Sequence, residues 1–184
     1  MNSFIKTLLP FVVFQVQWWL CILSSNDNAQ YGYCFAAVIF LLNLFYQPLT
    51  RPTLLFFLLL LLYGIMNDTI MMQIGVFRFP FHIGHLIPAW LMVLWVCFSA
   101  WFLNAQWLNQ QLPGILCLFS IGGAGSYYFA AKLDALIFLI PTNRALMMLC
   151  IDWFCLGLVF FLTVRWMRVL QERLLKGGTG SKLK

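Results

Sequence analysis

Asp68 and Asp152 stand in stretches otherwise built for hydrocarbon. Asp68 follows the leucine run Leu58 to Leu62, and Asp152 is embedded between Leu146 and Phe161. A charged side chain at the centre of a membrane helix costs about 2.5–3.5 kcal/mol on insertion scales, so each carboxyl group needs a partner or a task. In apolar surroundings a carboxylate can serve as a general base, carry a proton, or form half of an ion pair. Asn67 adds an amide beside Asp68, and Lys132 is the natural cation for either carboxylate. Tyr127 and Tyr128 follow the small-residue run Gly122-Gly123-Ala124-Gly125-Ser126, and His82 and His85 lie in the aromatic segment Phe77 to His85.

These residues suggest one polar pocket formed by Asn67, Asp68, His85, Tyr127, Tyr128, Lys132 and Asp152. The catalytic candidates are Asp68, His85, Lys132 and Asp152, with Asp68 or His85 as base and Lys132 or Tyr127 stabilising charge. The substrate-contacting candidates are Asn67, Asp68, Trp90, Tyr127, Tyr128 and Lys132. The competing reading is structural: Asp68 or Asp152 pairs with Lys132 and holds three helices together. Proton-coupled transport through the two carboxylates is a further variant. A zinc site from His82, His85 and Asp68 has suitable ligand types but no fixed ligand spacing, so no metal and no cofactor is expected. The glycine run lacks a preceding strand and a Gly-Lys-Ser/Thr ending, so it reads as close helix packing or a substrate crevice, not a phosphate loop.

The elements that must position these groups follow from composition. The 184 residues are 63% hydrophobic and 9% charged. A soluble domain is about 45–50% apolar and about 25% charged, so this chain has too little polar surface to cover a soluble globule. The unbroken apolar runs Ala36–Leu42 and Leu58–Leu62 exclude barrel strands, which alternate. A transmembrane helix needs roughly 20 mostly apolar residues. The expected architecture is an all-α bundle of six spans, at about 4–24, 31–46, 53–74, 86–107, 112–133 and 145–166. It forms a single domain over 1–176 with a flexible basic tail at 177–184. Gly177 and Gly178 are expected to end the last helix, and the first span reads as retained, not as a cleaved signal.

An even number of spans puts both termini on one side. That side carries Lys6, Arg51, Arg165, Arg168, Arg173, Lys176, Lys182 and Lys184, against Arg78, Lys132 and Arg144 on the other. The positive-inside rule then makes both ends cytoplasmic. Asp68 and Asp152 come out at similar depth, in the outer third of the bilayer. The net charge of +6 is a topology signal, not a nucleic-acid footprint, because the basic residues flank spans. Trp18, Trp19, Trp90, Trp107 and Trp166 fall near span ends, where an indole suits the interface, whereas Trp95, Trp101 and Trp153 read as packing residues. The six cysteines form no Cys-x-x-Cys, and only Cys21 and Cys34, flanking the first outer loop, suggest a pair.

Along nearly its whole length the chain resembles a family of small bacterial inner-membrane proteins classed as a domain of unknown function. The resemblance rests on Phe14-Gln15, Trp18-Trp19 and Cys21; on Gly64, Asp68, Gly75 and Phe77; on Pro88-Ala89-Trp90, Leu94-Trp95, Phe98, Leu103 and Trp107; and on Gly122–Gly125, Ser126-Tyr127 and Ala130-Ala131-Lys132-Leu133. The chain departs from the family pattern at Gly125 and Asp134, where proline and glycine are usual. The resemblance implies a multi-pass location and, because such genes often neighbour genes of fatty-acyl or phospholipid modification, a link to lipid chemistry. It supplies no catalytic residue. The expectation is a protein that handles or transports a lipid or other apolar substrate, or assists lipid modification. The alternative is a membrane-embedded enzyme on a lipid substrate. Membrane lipids are the expected partners, and nucleic acid is not.

Overall fold

The structure, a computed structural model, describes residues 3–25, 31–46, 51–80, 82–104 and 112–179. The sequence features at Asp27, Phe81, Trp107, Lys182 and Lys184 lie outside them. The described chain is helical: α1 (Ser3–Leu23), α2 (Tyr31–Tyr46), α3 (Arg51–Gln73), α4 (Ala89–Asn104), α5 (Leu112–Cys117), α6 (Gly123–Lys132) and α7 (Thr142–Thr179). A π-helical turn, Leu118–Gly122, joins α5 to α6. Two two-residue strands, β1 (Phe77–Arg78) and β2 (Ile137–Phe138), pair as an antiparallel ribbon. By length and composition three helical stretches are long and apolar enough to cross a membrane: Thr53–Gln73, Leu112–Lys132 and Thr142–Thr163. Leu9–Leu23, Tyr31–Leu42 and Ala89–Phe102 are apolar but shorter.

Two boundaries differ from the sequence expectation. The fourth helix starts at Ala89, not near Leu86, because Pro88 favours the first turn of a helix and disfavours helical geometry in the residue before it. Gly177 and Gly178 do not end the last helix, which continues to Thr179. Glycine inside a helix is about 1 kcal/mol less favourable than alanine, a bias and not a stop signal.

The chain divides into two compact units: Met1–Trp107 with Ser126–Ala145, and Leu108–Gly125 with Leu146–Lys184. In the first unit α4 packs against α1, α2 and α3. Its buried residues Trp90, Leu91, Trp95, Cys97, Phe98, Ser99, Trp101 and Phe102 cover most of its circumference, as expected for a helix enclosed by others. Phe14 of α1 stacks on Trp101, with ring centroids 5.2 Å apart, and Phe56 of α3 stacks on Phe102 at 6.1 Å. The buried Gln17 amide of α1 donates to the Ala36 carbonyl of α2 at 3.2 Å, which gives a polar group inside an apolar bundle its partner. Leu58, Leu59 and Leu62 point outward from α3 while Leu60 is buried.

In the second unit aromatic rings settle on glycines. A Cβ at Gly123 would overlap the Trp153 indole, and one at Gly157 would lie 3.1 Å from Phe119 Cβ. Phe119 also packs on Trp153 and Phe160, at 6.0 and 6.1 Å. The glycine run is therefore not uniform. Gly123 is a packing surface, Gly122 meets only a distant leucine methyl at 3.9 Å, and Gly125 meets nothing within 4 Å. Gly123→Ala is expected to destabilise the solubilised protein by about 1–3 kcal/mol through overpacking. Gly125→Ala is expected to stabilise it by up to about 1 kcal/mol through helix propensity. Thermal unfolding in detergent compares the two, and equal effects would refute the assignment.

The helices α3 and α6 end alike. Gly75 N–H donates to the Met72 carbonyl and Val76 N–H to Met71; Asp134 N–H donates to Ala131 and Ala135 N–H to Ala130. Each pair is the double bond of a Schellman cap, in which the residue after the helix adopts a left-handed backbone. Gly75 has φ +79° and Asp134 φ +58°. Aspartate tolerates this region better than most residues, but glycine enters it without a Cβ clash. Asp134 therefore holds a backbone position that glycine would fill without that clash. Asp134→Gly is expected to raise stability by roughly 0.5–1 kcal/mol, and Gly75→Ala to lower it by about 1–2 kcal/mol. A guanidinium or heat titration of the two variants reads the opposite signs.

Candidate functional site

Each cap leads within three residues into a strand of the ribbon, where Phe77 pairs with Phe138 and Arg78 with Ile137. The Leu139 N–H extends the pairing to the Val76 carbonyl at 3.0 Å. Asp68 precedes the cap residue of α3 by seven residues, and Tyr127 precedes that of α6 by seven. Tying the two helix ends together through the ribbon thus sets Asp68 and Tyr127 at one level, about two turns below it.

At that level the Asp68 carboxyl group is fully buried, at 0% exposure. The Tyr127 hydroxyl donates to Oδ1 at 2.5 Å, and the Trp95 indole N–H donates to Oδ2 at 2.6 Å. Three helices therefore meet on one side chain: α3 supplies the acceptor, α4 the indole and α6 the phenol. Gly64, one turn before Asp68 on the same face of α3, makes this possible. A Cβ at Gly64 would overlap the benzo ring of Trp95. The indole lies flat against bare backbone and turns its N–H to the next residue on that face.

Aromatic rings cover the cluster. Phe77 of the ribbon, itself at 0% exposure, packs on Tyr127 at 5.7 Å and on Phe79 at 5.5 Å. Phe79 packs edge-on against Trp90 at 5.7 Å. The aromatic segment after α3 is thus partly a buried cover. Trp90, placed by sequence near the interface, is buried in the same cover. The tetrahedral-like geometry that a His82–His85 pair would need is not set up by a helix. The segment is irregular, with the His82 ring against the Leu86 carbonyl and the His85 carbonyl accepting from Gln73 at 3.2 Å. Among the described residues no group of three or more His, Cys, Asp or Glu is placed to hold a metal ion.

The remaining sequence candidates take no part in these two hydrogen bonds. Lys132 is exposed, and its ammonium lies over the Tyr128 ring, 5.4 Å from the centroid. The pairing expected between Asp68 and Lys132 is replaced by this cation–π contact, and Asp68 is held by the indole and the phenol. Tyr128 is exposed, one residue from Tyr127 but on another face. Asn67 is half-buried beside Asp68, and His85 is exposed. Asp152 is half-buried in α7 and belongs to the second unit. Cys21 and Cys34 are both free.

Sequence reasoning missed Trp95 and Gly64. Trp95 reads as packing, and Gly64 enters only among the residues that carry the resemblance. The available signal was the pair Gly64 and Asp68 at i and i+4, a notch beside an acceptor, together with a tryptophan far from any interface that must place its N–H.

Comparison with curated proteins and with solved structures finds no match. A family model does match, over residues 7–159, and it spans α2 to α6 in full with most of α1 and most of the apolar part of α7. The chain belongs to the family described as protein of unknown function (DUF2878).

Proposed function

We propose that this is a six-span membrane protein with both termini in the cytoplasm, and that it handles lipid or assists lipid modification without itself being an enzyme. The enclosure of Asp68 carries the non-enzymatic part. Both oxygens are occupied by donors from α4 and α6, and the side chain has no exposed surface. A general base must reach the proton it removes, and Asp68 cannot do so without breaking both bonds and lifting its aromatic cover. It acts as the polar latch of the first unit. The membrane part is supported by three sufficiently long apolar helices and by outward-facing leucines on α3. Such a surface would aggregate in water. The basic residues near both termini favour the cytoplasmic side for the two ends. The link to lipid rests on this surface and on the genomic neighbourhood of the proteins the chain resembles.

The test combines a deletion strain with complementation. Lipid profiling is expected to show altered acyl or phospholipid composition on deletion, restored both by the wild-type chain and by Asp68→Asn at equal protein level. Unchanged lipids would refute the lipid role. Loss of restoration by a folded Asp68→Asn protein would instead favour the enzyme. A reporter fused after Lys184 is expected to be active only in its cytoplasmic form, and a periplasmic signal would overturn the orientation.

A further inference from the structure

The end of the first unit that carries the ribbon combines charge with exposed apolar side chains. Asp68 and Tyr127 are level, and α3 and α6 each run five residues further, to Gln73 and Lys132. Both helices therefore finish at the same end as the ribbon. Lys132, Arg78 on β1 and Arg144 in the first turn of α7 are all exposed. Asp134 is the acidic residue of these turns, so the local balance remains positive. The apolar residues between them are not withdrawn into the core. Ile83 is 102% exposed at a loop tip, Ile137 on β2 is 38% exposed, and Leu139 is 52% exposed. Aliphatic side chains held out among cations suit a surface that meets both water and acyl chains. This is the composition of a surface seated at a lipid headgroup layer, with cations at phosphate depth and aliphatic groups below.

We propose that this ribbon end binds the headgroup phosphate of an anionic phospholipid, with Arg78, Lys132 and Arg144 supplying the charge and Ile83, Ile137 and Leu139 the apolar seat. The commitment to a lipid follows from the pairing of the two surfaces: a free anion would use the cations and leave the aliphatic side chains exposed. Lys132 is already positioned by its contact with the Tyr128 ring. The ribbon fixes Arg78 opposite Ile137, so a cation and an aliphatic residue are presented side by side on rigid backbone. The proposal rests on the membrane reading above and adds a lipid class and a place to it.

The experiment uses the full chain in phosphatidylcholine bilayers with and without phosphatidylglycerol, beside Arg78→Gln/Lys132→Gln/Arg144→Gln. Both proteins keep the C-terminal basic residues, whose contribution cancels. Each cation near an anionic surface contributes about five-fold in binding, so the triple variant is expected to bind phosphatidylglycerol roughly 100-fold more weakly. Its unfolding temperature in pure phosphatidylcholine is expected to match the wild type, since all three side chains are exposed. The difference is expected to shrink in high salt. Equal phosphatidylglycerol binding by the two proteins would overturn the proposal while leaving the membrane reading intact. Inorganic phosphate binding as strongly as the lipid would overturn the commitment to a headgroup. Failure of the chain to enter either bilayer would overturn both readings.

Discussion

Asp68→Ala is expected to lower the stability of the solubilised protein by about 2–4 kcal/mol, the largest effect of any single polar substitution in the first unit. The substitution leaves the Trp95 N–H and the Tyr127 hydroxyl without their acceptor, inside a cover of Phe77, Phe79 and Trp90. A buried donor left unsatisfied costs about 1–3 kcal/mol. Hydrogen bonds between membrane helices average only about 0.6 kcal/mol, because the unfolded chain in the bilayer finds other partners. The expected range lies between these limits for two bonds. Asp68→Asn keeps one carbonyl oxygen and is expected to lose about half as much. Tyr127→Phe removes one donor with its acceptor still held by Trp95, so it ranks below both. Unfolding in a detergent titration measures all three. An Asp68→Ala protein as stable as wild type would show that the latch contributes nothing.

Gly64→Ala is expected to be nearly as damaging although it adds a single methyl group. The new carbon would occupy space now filled by the Trp95 benzo ring. The ring cannot retreat freely, because its N–H is fixed to Asp68. Either the helices α3 and α4 separate, or the hydrogen bond breaks. Overpacking of this kind costs about 1–3 kcal/mol. The lost hydrogen bond adds to it, and the better helix propensity of alanine returns only about 1 kcal/mol. The net expectation is a loss of about 2 kcal/mol. The cause is separable: in a Trp95→Phe background the methyl group meets a smaller ring with no N–H to hold. Gly64→Ala and Trp95→Phe are therefore expected to combine to clearly less than their sum. Strict additivity would mean that the notch and the indole are independent.

Helix order, and five of the six helical regions to within a few residues at their described ends, were readable from hydropathy, because apolar run length is a local property. The start of α4 follows from a local cue, Pro88, that the apolar pattern does not weigh. The ribbon was not readable: strands of two residues have no periodicity, and their pairing joins positions about sixty apart in sequence. The π-helical turn was likewise hidden, since residues of a π turn have the same composition as their neighbours in an α-helix.

The sequence by itself determined that the chain is helical and apolar, and that Asp68 needs an explanation, because desolvation of a carboxyl group is unfavourable whatever the fold. Which group answers Asp68 was decided only by tertiary structure. The nearest cation by expectation, Lys132, lies over Tyr128, while an indole and a phenol from two other helices reach the carboxyl group. Helix periodicity says which residues share a face, but not how far each helix is shifted along its axis. That shift is set here by two like caps and the ribbon between them, and by a glycine that lets one ring come close.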